Sequence, residues 1–133
     1  MPDCIFCKIA RREAESWPVY ADDKVYAFLD IEPASEYHTL VIPRNHYENI
    51  FDVPESELLA VMSAVKKIAA LYHDKLGIKN LQIINSSGAA AQQDVFHIHF
   101  HIVPRKQGDN QDIRWTTHPE LRANFGQLLQ KLT

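Results

Sequence analysis

"HIHFHIVPR", His97–Arg105, decides how this chain is read. Histidines stand at His97, His99 and His101, each separated from the next by one large apolar residue. Strict alternation is the period of a β-strand, in which successive side chains point to opposite faces. The pattern therefore predicts a strand over Val95–Val103, with the three imidazoles on one face and Phe96, Ile98, Phe100 and Ile102 on the other. The apolar face belongs in a core, and Pro104 ends the strand because proline cannot donate to a sheet ladder. One face is structural and the other is free for chemistry.

A strand rises roughly 3.3 Å per residue, which sets His97 and His101 about 13 Å apart at the backbone. Zinc–nitrogen bonds are only about 2.0–2.1 Å long, and strand side chains stand roughly perpendicular to the sheet. A single ion held by all three histidines is thereby disfavoured. A solvated histidine-rich face and a catalytic face remain. With an ordinary pKa near 6.5, imidazole is largely neutral at pH 7 and can serve as nucleophile, base or hydrogen-bond donor. Attack by a ring nitrogen on phosphorus would give a phospho-histidine type of intermediate, later cleaved by water, while neighbouring imidazoles donate to the non-bridging oxygens. His99, flanked on both sides, is the candidate nucleophile. The stretch before it, "INSSGAAAQQD" (Ile84–Asp94), has small residues that let a ligand approach the backbone and polar Gln92, Gln93 and Asp94 beside the histidines. It reads either as a cradle for an anion such as phosphate or as an ordinary surface loop.

The rest of the chain bounds what this strand belongs to. Its 133 residues fit a single domain, 1–133, with 46% hydrophobic and 23% charged residues, the balance of a globular protein. A formal net charge of −3 offers no bulk attraction to nucleic acid, so any phosphate recognition must be local. No run is long enough to span a bilayer, and "MPDCIFCKIARREAESW" lacks an apolar signal core, so a cytoplasmic location with no membrane partner is expected. Two cysteines are too few for a disulfide scaffold.

Pattern and punctuation place the remaining elements. Ile5–Glu13 reads as a short helix, and Val25–Asp30 ("VYAFLD"), His38–Pro43 ("HTLVIP") and Leu81–Asn85 ("LQIIN") read as strands. From Pro54 to Lys75, apolar Leu58, Met62, Val65, Ile68, Ala69 and Tyr72 follow the helical period, with proline for the first turn and Gly77 for the stop. His118–Leu132 reads as another short helix, weakened by Gly126. Runs of strands around one long helix predict an α+β fold: a mostly antiparallel sheet of about five strands, one long helix and short helices.

"HIHFHIV" fits the alternating signature of the histidine-triad (HIT) superfamily, and "CIFCKIARRE", "AFLDIEP", "HTLVIPRNH" and "GAAAQQDVFHIHFHIVPR" resemble that family in the same order, over about Cys4–Arg105. Its members are nucleotide hydrolases and transferases acting at the α-phosphate. The resemblance implies a HIT-like fold and a homodimer whose two sheets join across the subunit interface. It implies His99 as the nucleophile that forms a nucleotidyl–enzyme intermediate, and His101 as a contact to the α-phosphate. Asp30 matches the acidic residue that accepts from both ribose hydroxyls, as a carboxylate can; read alone, it is a turn-forming Asp. Phe6, Ile9, Phe28 and Ile31 match the apolar positions around the base, and also read as core. His38 matches a further histidine near the site.

Departures from the family occur in the loop. Gln92 stands where a glycine often precedes the motif glutamine, here Gln93, and "NSSG" replaces Asn-x-Gly, leaving Asn85 or Ser86 to serve the phosphate. Asp94 occupies a position that is a serine near the leaving group in phosphoramidase members. There a carboxylate favours amine or protonated leaving groups, or else it points away.

Cys4 and Cys7 form a Cys-x-x-Cys pair, which can be half a zinc site, a redox pair or coincidence. Zinc-containing members of the bacterial histidine-triad branch use two cysteines, the histidine after "VIP" and the first triad histidine. By that likeness the ligands are Cys4, Cys7, His46 and His97. Four protein ligands leave no open position, so the Zn²⁺ would be structural, and no organic cofactor is implied. His73 and His118 read as surface residues.

The expected function is cleavage at the α-phosphate of a nucleotide conjugate of AMP type, the purine coming from resemblance alone, in the manner of a nucleoside phosphoramidase. Its rivals are a dinucleoside polyphosphate hydrolase, a nucleotide-binding regulatory protein with vestigial catalysis, and a zinc-binding module that ignores nucleotides.

Overall fold

The computed structural model describes residues 4–133. A five-stranded antiparallel sheet runs in the order β1-β2-β3-β5-β4, from β1 (Pro18–Ala21), β2 (Val25–Leu29), β3 (Thr39–Pro43), β4 (Leu81–Ile84) and β5 (Phe100–Pro104). Helix α1 (Ile5–Ala10) covers part of one face and the long α2 (Glu55–Leu76) the other, with α3 (Phe125–Gln130) near the end of the chain. This is the α+β architecture expected. Among the described residues no helix is long and apolar enough to cross a membrane.

Alternation within β2 and β3 divides their side chains between two cores. Val25, Ala27 and Val41 join Val61, Ala64, Val65, Ile68 and Tyr72 beneath α2. Tyr26, Phe28, Leu40 and Ile42 join Phe6, Ile9 and Ala10 beneath α1. Burial on both faces explains why these two strands read as continuous apolar runs. The buried stripe of α2 passes through Val61, Ala64, Val65, Ile68 and Tyr72, so Met62, assigned to it from the sequence, lies outside. Gly77 stops the helix at a left-handed φ of 69°, with its N–H and that of Ile78 returning to the carbonyls of His73 and Tyr72. The Thr39 hydroxyl donates to the Tyr37 carbonyl at 2.7 Å, so the buried Tyr72 hydroxyl is the donor in its 2.6 Å bond to Thr39 and ties α2 to β3.

Beyond one-residue shifts at the ends of strands and of α2, three elements outside the histidine stretch differ from the sequence reading. Helix α1 ends at Ala10 rather than Glu13 because Arg12 turns to a φ of 63° and Arg44 Nη1 donates to the Ala10 carbonyl at 2.9 Å. Strand β1 has no counterpart in the sequence pattern, because at the sheet edge it is half-buried and bulged between Pro18 and Tyr20 and so shows no alternation. The C-terminal helix is split into a 3-10 turn over Pro119–Asn124 followed by α3, and neither piece has a buried residue.

The most consequential difference lies in the histidine stretch. The ladder of β5 begins at Phe100, not Val95; Ile98 still joins the core beneath α2, but Phe96, expected on the same apolar face, stands 44% exposed because the ladder does not reach it. Val41 pairs with Phe100, so residues before it run toward Pro43, which has no N–H to offer. The Ile98 N–H instead donates to the Tyr47 carbonyl at 2.7 Å, and Asn85 Nδ2 donates to the His99 carbonyl at 3.0 Å. His97–His99 is thus held by side chains and a loop rather than by the ladder, with a bend over residues 95–97.

Candidate functional site

Leu40 faces His101 across the β3–β5 ladder, which puts the histidines on the α1 side of the sheet. They are not a solvated face: His97 is 0% and His99 5% exposed. Phe6 of α1 packs edge-on against His99 at 5.2 Å and against Phe28 at 5.5 Å between ring centroids. Because α1 is short, the rest of that face stays open as a cleft of about 500 Å³. Phe6, Ile9, Phe28 and Leu40 form its apolar wall, with His38, His99 and His101 among its polar groups. Ile31 stands at its mouth, 77% exposed, outside the core.

The hydrogen-bond partners fix the state of each ring. His99 Nδ1 lies 2.8 Å from the carbonyl of His97, which can only accept, so Nδ1 carries the proton and Nε2 keeps its lone pair. That Nε2 faces the cleft, with the Asp94 Oδ1 at 3.7 Å, beyond hydrogen-bonding distance. His38 Nδ1 accepts the Ala34 N–H at 2.9 Å, so neutral His38 carries its proton on Nε2 and donates it to His101 Nδ1, also at 2.9 Å. His101 in turn must hold its proton on Nε2. The two imidazoles therefore present opposite functions, a bare nitrogen on His99 and an N–H on His101. Burial lowers the pKa of His101 from 6.5 to about 4, with the nearby histidines adding to the effect, and it also lowers that of His38, against the pull of Asp30.

Asp30, His38 and His101 are close enough to suggest a cation site, but their wiring argues otherwise. A metal at His38 Nε2 would require the proton on Nδ1, where the Ala34 N–H already points. The chain of donors makes this a proton-ordered relay. Asp30 Oδ2 is 3.5 Å from His38 Nε2, and its Oδ1 accepts the Glu32 N–H at 2.8 Å, so Asp30 both lines the cleft and makes the turn.

On the far side of His97 the chemistry changes. His97 Nε2 donates to the carbonyl of Pro43 at 2.8 Å, leaving Nδ1 as a bare donor atom for a cation. Nδ1 lies 3.4 Å from Cys4 Sγ and 3.5 Å from Cys7 Sγ, and His46 Nδ1 lies 3.4 Å from Cys7 Sγ. Tetrahedral zinc, with bonds of about 2.3 Å to sulfur and about 2.0–2.1 Å to nitrogen, sets sulfur and nitrogen about 3.5 Å apart. Those three sulfur–nitrogen separations match that spacing, and all four ligand atoms lie within 4.8 Å of one another, so the cluster suits such an ion. A metal-bound histidine ordinarily donates its other N–H to a carbonyl or carboxylate, as His97 does. Burial and the adjacent Cys4 push the Cys7 thiol up, a bias that a cation would reverse. The four residues come from the N-terminal segment, the loop after β3 and the histidine segment, so only the fold assembles them.

The loop before the histidines is built differently from the expected cradle. Gln93 is buried, with Oε1 accepting the Gly88 N–H and Nε2 donating to the carbonyls of Glu48 and Val95. Asn85 is committed to the His99 carbonyl through Nδ2 and accepts from Ser87 through Oδ1. Asn85, Ser86 and Gln93 do not line the cleft; from this loop Asp94 and Val95 do. Asn85 and Gln93 thus shape the segment that carries His99, and any contact of theirs to a ligand would require these bonds to be exchanged. Gln92, in the place of a glycine, takes a left-handed φ of 75°. Sequence reasoning missed Glu15 and Glu32, two further carboxylates at the cleft, and the carbonyls of His97 and Pro43, which carry no sequence signal. His73 and His118 are exposed, as expected, and lie next to Asp74 and Glu120.

Comparison with known proteins bears on family and fold. The HIT domain family profile matches residues 11–108. Adenosine 5'-monophosphoramidase HNT1 of Candida albicans is 32% identical over 136 aligned positions, covering 97% of this chain and 88% of its own. A crystal structure of SMU.412c from Streptococcus mutans superposes with a TM-score of 0.92 at 39% identity, over 99% of this chain and 84% of that one. A Zn-bound histidine triad family protein from Mycobacterium smegmatis gives a TM-score of 0.79 at 34% identity, over 98% of each chain.

Proposed function

The chain belongs to the histidine-triad (HIT) family, and on that premise we propose that it is a nucleotide-binding hydrolase or nucleotidyl transferase acting at the α-phosphate of an AMP-type conjugate. Its activity is that of a nucleoside phosphoramidase, and it works through a covalent nucleotidyl–His99 intermediate. The observation that carries this reading is the bare Nε2 of His99, held toward the cleft by the Nδ1–H bond to the His97 carbonyl.

The chemistry follows from the ring states. His99 Nε2 attacks the α-phosphorus, a P–N bond forms, and the bond to the leaving group breaks with its electron pair departing on that group. A leaving amine takes a proton from solvent. The Nδ1–H stays on the His97 carbonyl, whose dipole stabilises the imidazolium that results. His101 Nε2–H donates to a non-bridging oxygen, where negative charge develops. Water then attacks phosphorus and gives up a proton to solvent, the P–N bond breaks with its pair returning to the imidazole, which leaves as a neutral base, and the nucleoside monophosphate is released; another acceptor in place of water makes the reaction a transfer. Phe6, Ile9 and Phe28, with Ile31 at the mouth, are suited to the base, and Asp30 Oδ2 to the ribose hydroxyls.

The spacing of Cys4, Cys7, His46 and His97 supports a structural Zn²⁺ held by these four side chains. Such an ion supplies rigidity, since four protein ligands leave no position for substrate. A homodimer is supported by the C-terminal arm, in which Trp115, Leu121, Phe125, Leu128, Leu129 and Leu132 all stand exposed. A six-residue helix such as α3 has little stability in water by itself, and burying that apolar surface in a second copy would supply it.

The test is intact-mass analysis of rapidly quenched reactions with AMP phosphoramidate, with His99→Ala as the blank. One AMP added at His99, together with AMP release, is the expected result. Nucleotide binding with neither adduct nor turnover would instead identify a binding protein with vestigial catalysis.

A further inference from the structure

We infer that the cleft selects leaving groups carrying a positive charge, and that Asp94 is the specificity residue that reads that charge. The inference rests on the hydrolase reading above and names its substrate class: nucleotide phosphoramidates of diamines, with one nitrogen on phosphorus and the second present as an ammonium group.

The cleft is electrostatically unusual for one that takes a nucleotide. Four carboxylates, Glu15, Asp30, Glu32 and Asp94, are among its lining residues, and among the described residues lining it there is no lysine or arginine. His38 and His101, which sit on the phosphate side, are held neutral by burial and by their shared hydrogen bond. A polyphosphate would bring several negative charges into this field with no protein cation to offset them. A phosphoramidate brings one, and an ammonium on its leaving group cancels that one.

Acidic residues alone would not define a ligand. Here they line the same cleft as His99, whose side chain is only 6% exposed and whose Nε2 is directed into the cleft without a hydrogen-bond partner among the described residues. Asp94 is the carboxylate nearest that nitrogen. Its Oδ1 accepts the Val95 N–H at 2.8 Å, which fixes the carboxylate 3.7 Å from Nε2 while the side chain stays 81% exposed. Both contacts use Oδ1. A carboxylate flanking the nucleophile also flanks the phosphorus under attack, so an ammonium a few bonds beyond the leaving nitrogen comes within its reach. An anionic leaving group meets the same carboxylate as a like charge. When the P–N bond breaks, its electron pair stays on the leaving nitrogen, which takes a proton from solvent, and the ammonium is unchanged throughout.

The experiment compares kcat/KM for two AMP phosphoramidates of equal length, aminopropyl and hydroxypropyl, in wild type, Asp94→Asn and Asp94→Lys. Wild type is expected to favour the ammonium-bearing substrate about threefold to tenfold, the scale of a partly exposed ion pair, and to lose that preference in high salt. The ratio should fall toward one in Asp94→Asn, where three carboxylates remain, and further in Asp94→Lys, with melting temperatures confirming that both variants fold. Equal rates in wild type, or a preference undiminished in Asp94→Asn, would overturn the inference and leave the hydrolase reading standing. Cleavage of neither substrate, with no adduct on His99, would instead overturn the hydrolase reading and this inference with it.

Discussion

His38 donates its Nε2–H to Nδ1 of His101 across 2.9 Å while its own Nδ1 accepts the Ala34 N–H at the same distance. A backbone amide can only donate, so one main-chain group on the β2–β3 loop dictates which nitrogen of His101 carries its proton. In the proposed reaction this makes His38 a positioning residue for His101. His38→Ala should lower kcat on AMP phosphoramidate about tenfold to a hundredfold with little change in KM, because the wrong tautomer of His101 presents a lone pair to an anion. His38→Gln, whose amide can still donate, should recover part of the loss. Equal losses in the two variants would assign His38 a packing role only.

Removal of the His101 donor acts on the transition state directly. His101→Ala should reduce kcat by about 10²–10³, the usual cost of losing one donor to developing negative charge. The nucleotidyl adduct on His99 should still form, but slowly, which separates this variant from His99→Ala in a quenched-flow mass assay.

The metal prediction is structural. One zinc per chain is expected in elemental analysis, and Cys7→Ala should lose it and melt about 10 °C lower, as removal of a few kcal/mol does in a domain of this size. Cobalt substitution offers a readout independent of turnover: thiolate-to-cobalt absorption should appear in wild type and vanish in Cys7→Ala. Because the His97 carbonyl orients His99, the same loss should propagate to catalysis.

Acid should weaken the fold through the relay. The folded pKa of His101 is lowered to about 4, below its ordinary 6.5, so between these values the unfolded chain binds more protons than the folded one. Stability from this group is complete above pH 6.5 and is lost as the pH falls toward 4. Melting temperature should decline over that window, and His101→Gln should flatten the decline.

Gln92 sits at a φ of 75°, a conformation that costs a side-chain-bearing residue roughly 1–2 kcal/mol and glycine almost nothing. Gln92→Gly should therefore raise stability, partly offset by the greater freedom of glycine in the unfolded chain. An unchanged or lower denaturation midpoint would show that this loop carries no net strain.

The amino-acid order already contained the alternating pattern of the histidine stretch, the two apolar strands β2 and β3, the long helix ending at Gly77 and the Cys4-x-x-Cys7 pair, to which only the family likeness added His46 and His97. Each is encoded locally, by side-chain period, by a residue's backbone limits or by a short motif, and local signals survive being read in one dimension. Strand β1 carried no such signal, since its half-buried, bulged edge position comes from pairing with β2. The protonation pattern of the site was equally hidden. It depends on the carbonyls of His97 and Pro43 and the N–H of Ala34, groups that every residue possesses and that no letter distinguishes. Folding chooses which of them meets which ring. The ladder stops where Pro43 has no N–H, and the His97 carbonyl is left to orient His99. Three residues alike in sequence end in three different states, a bare Nδ1 beside two thiols, a bare Nε2 in the cleft and an Nε2–H, because the Pro43 carbonyl meets His97, the His97 carbonyl meets His99, and the Ala34 N–H acts on His101 through His38.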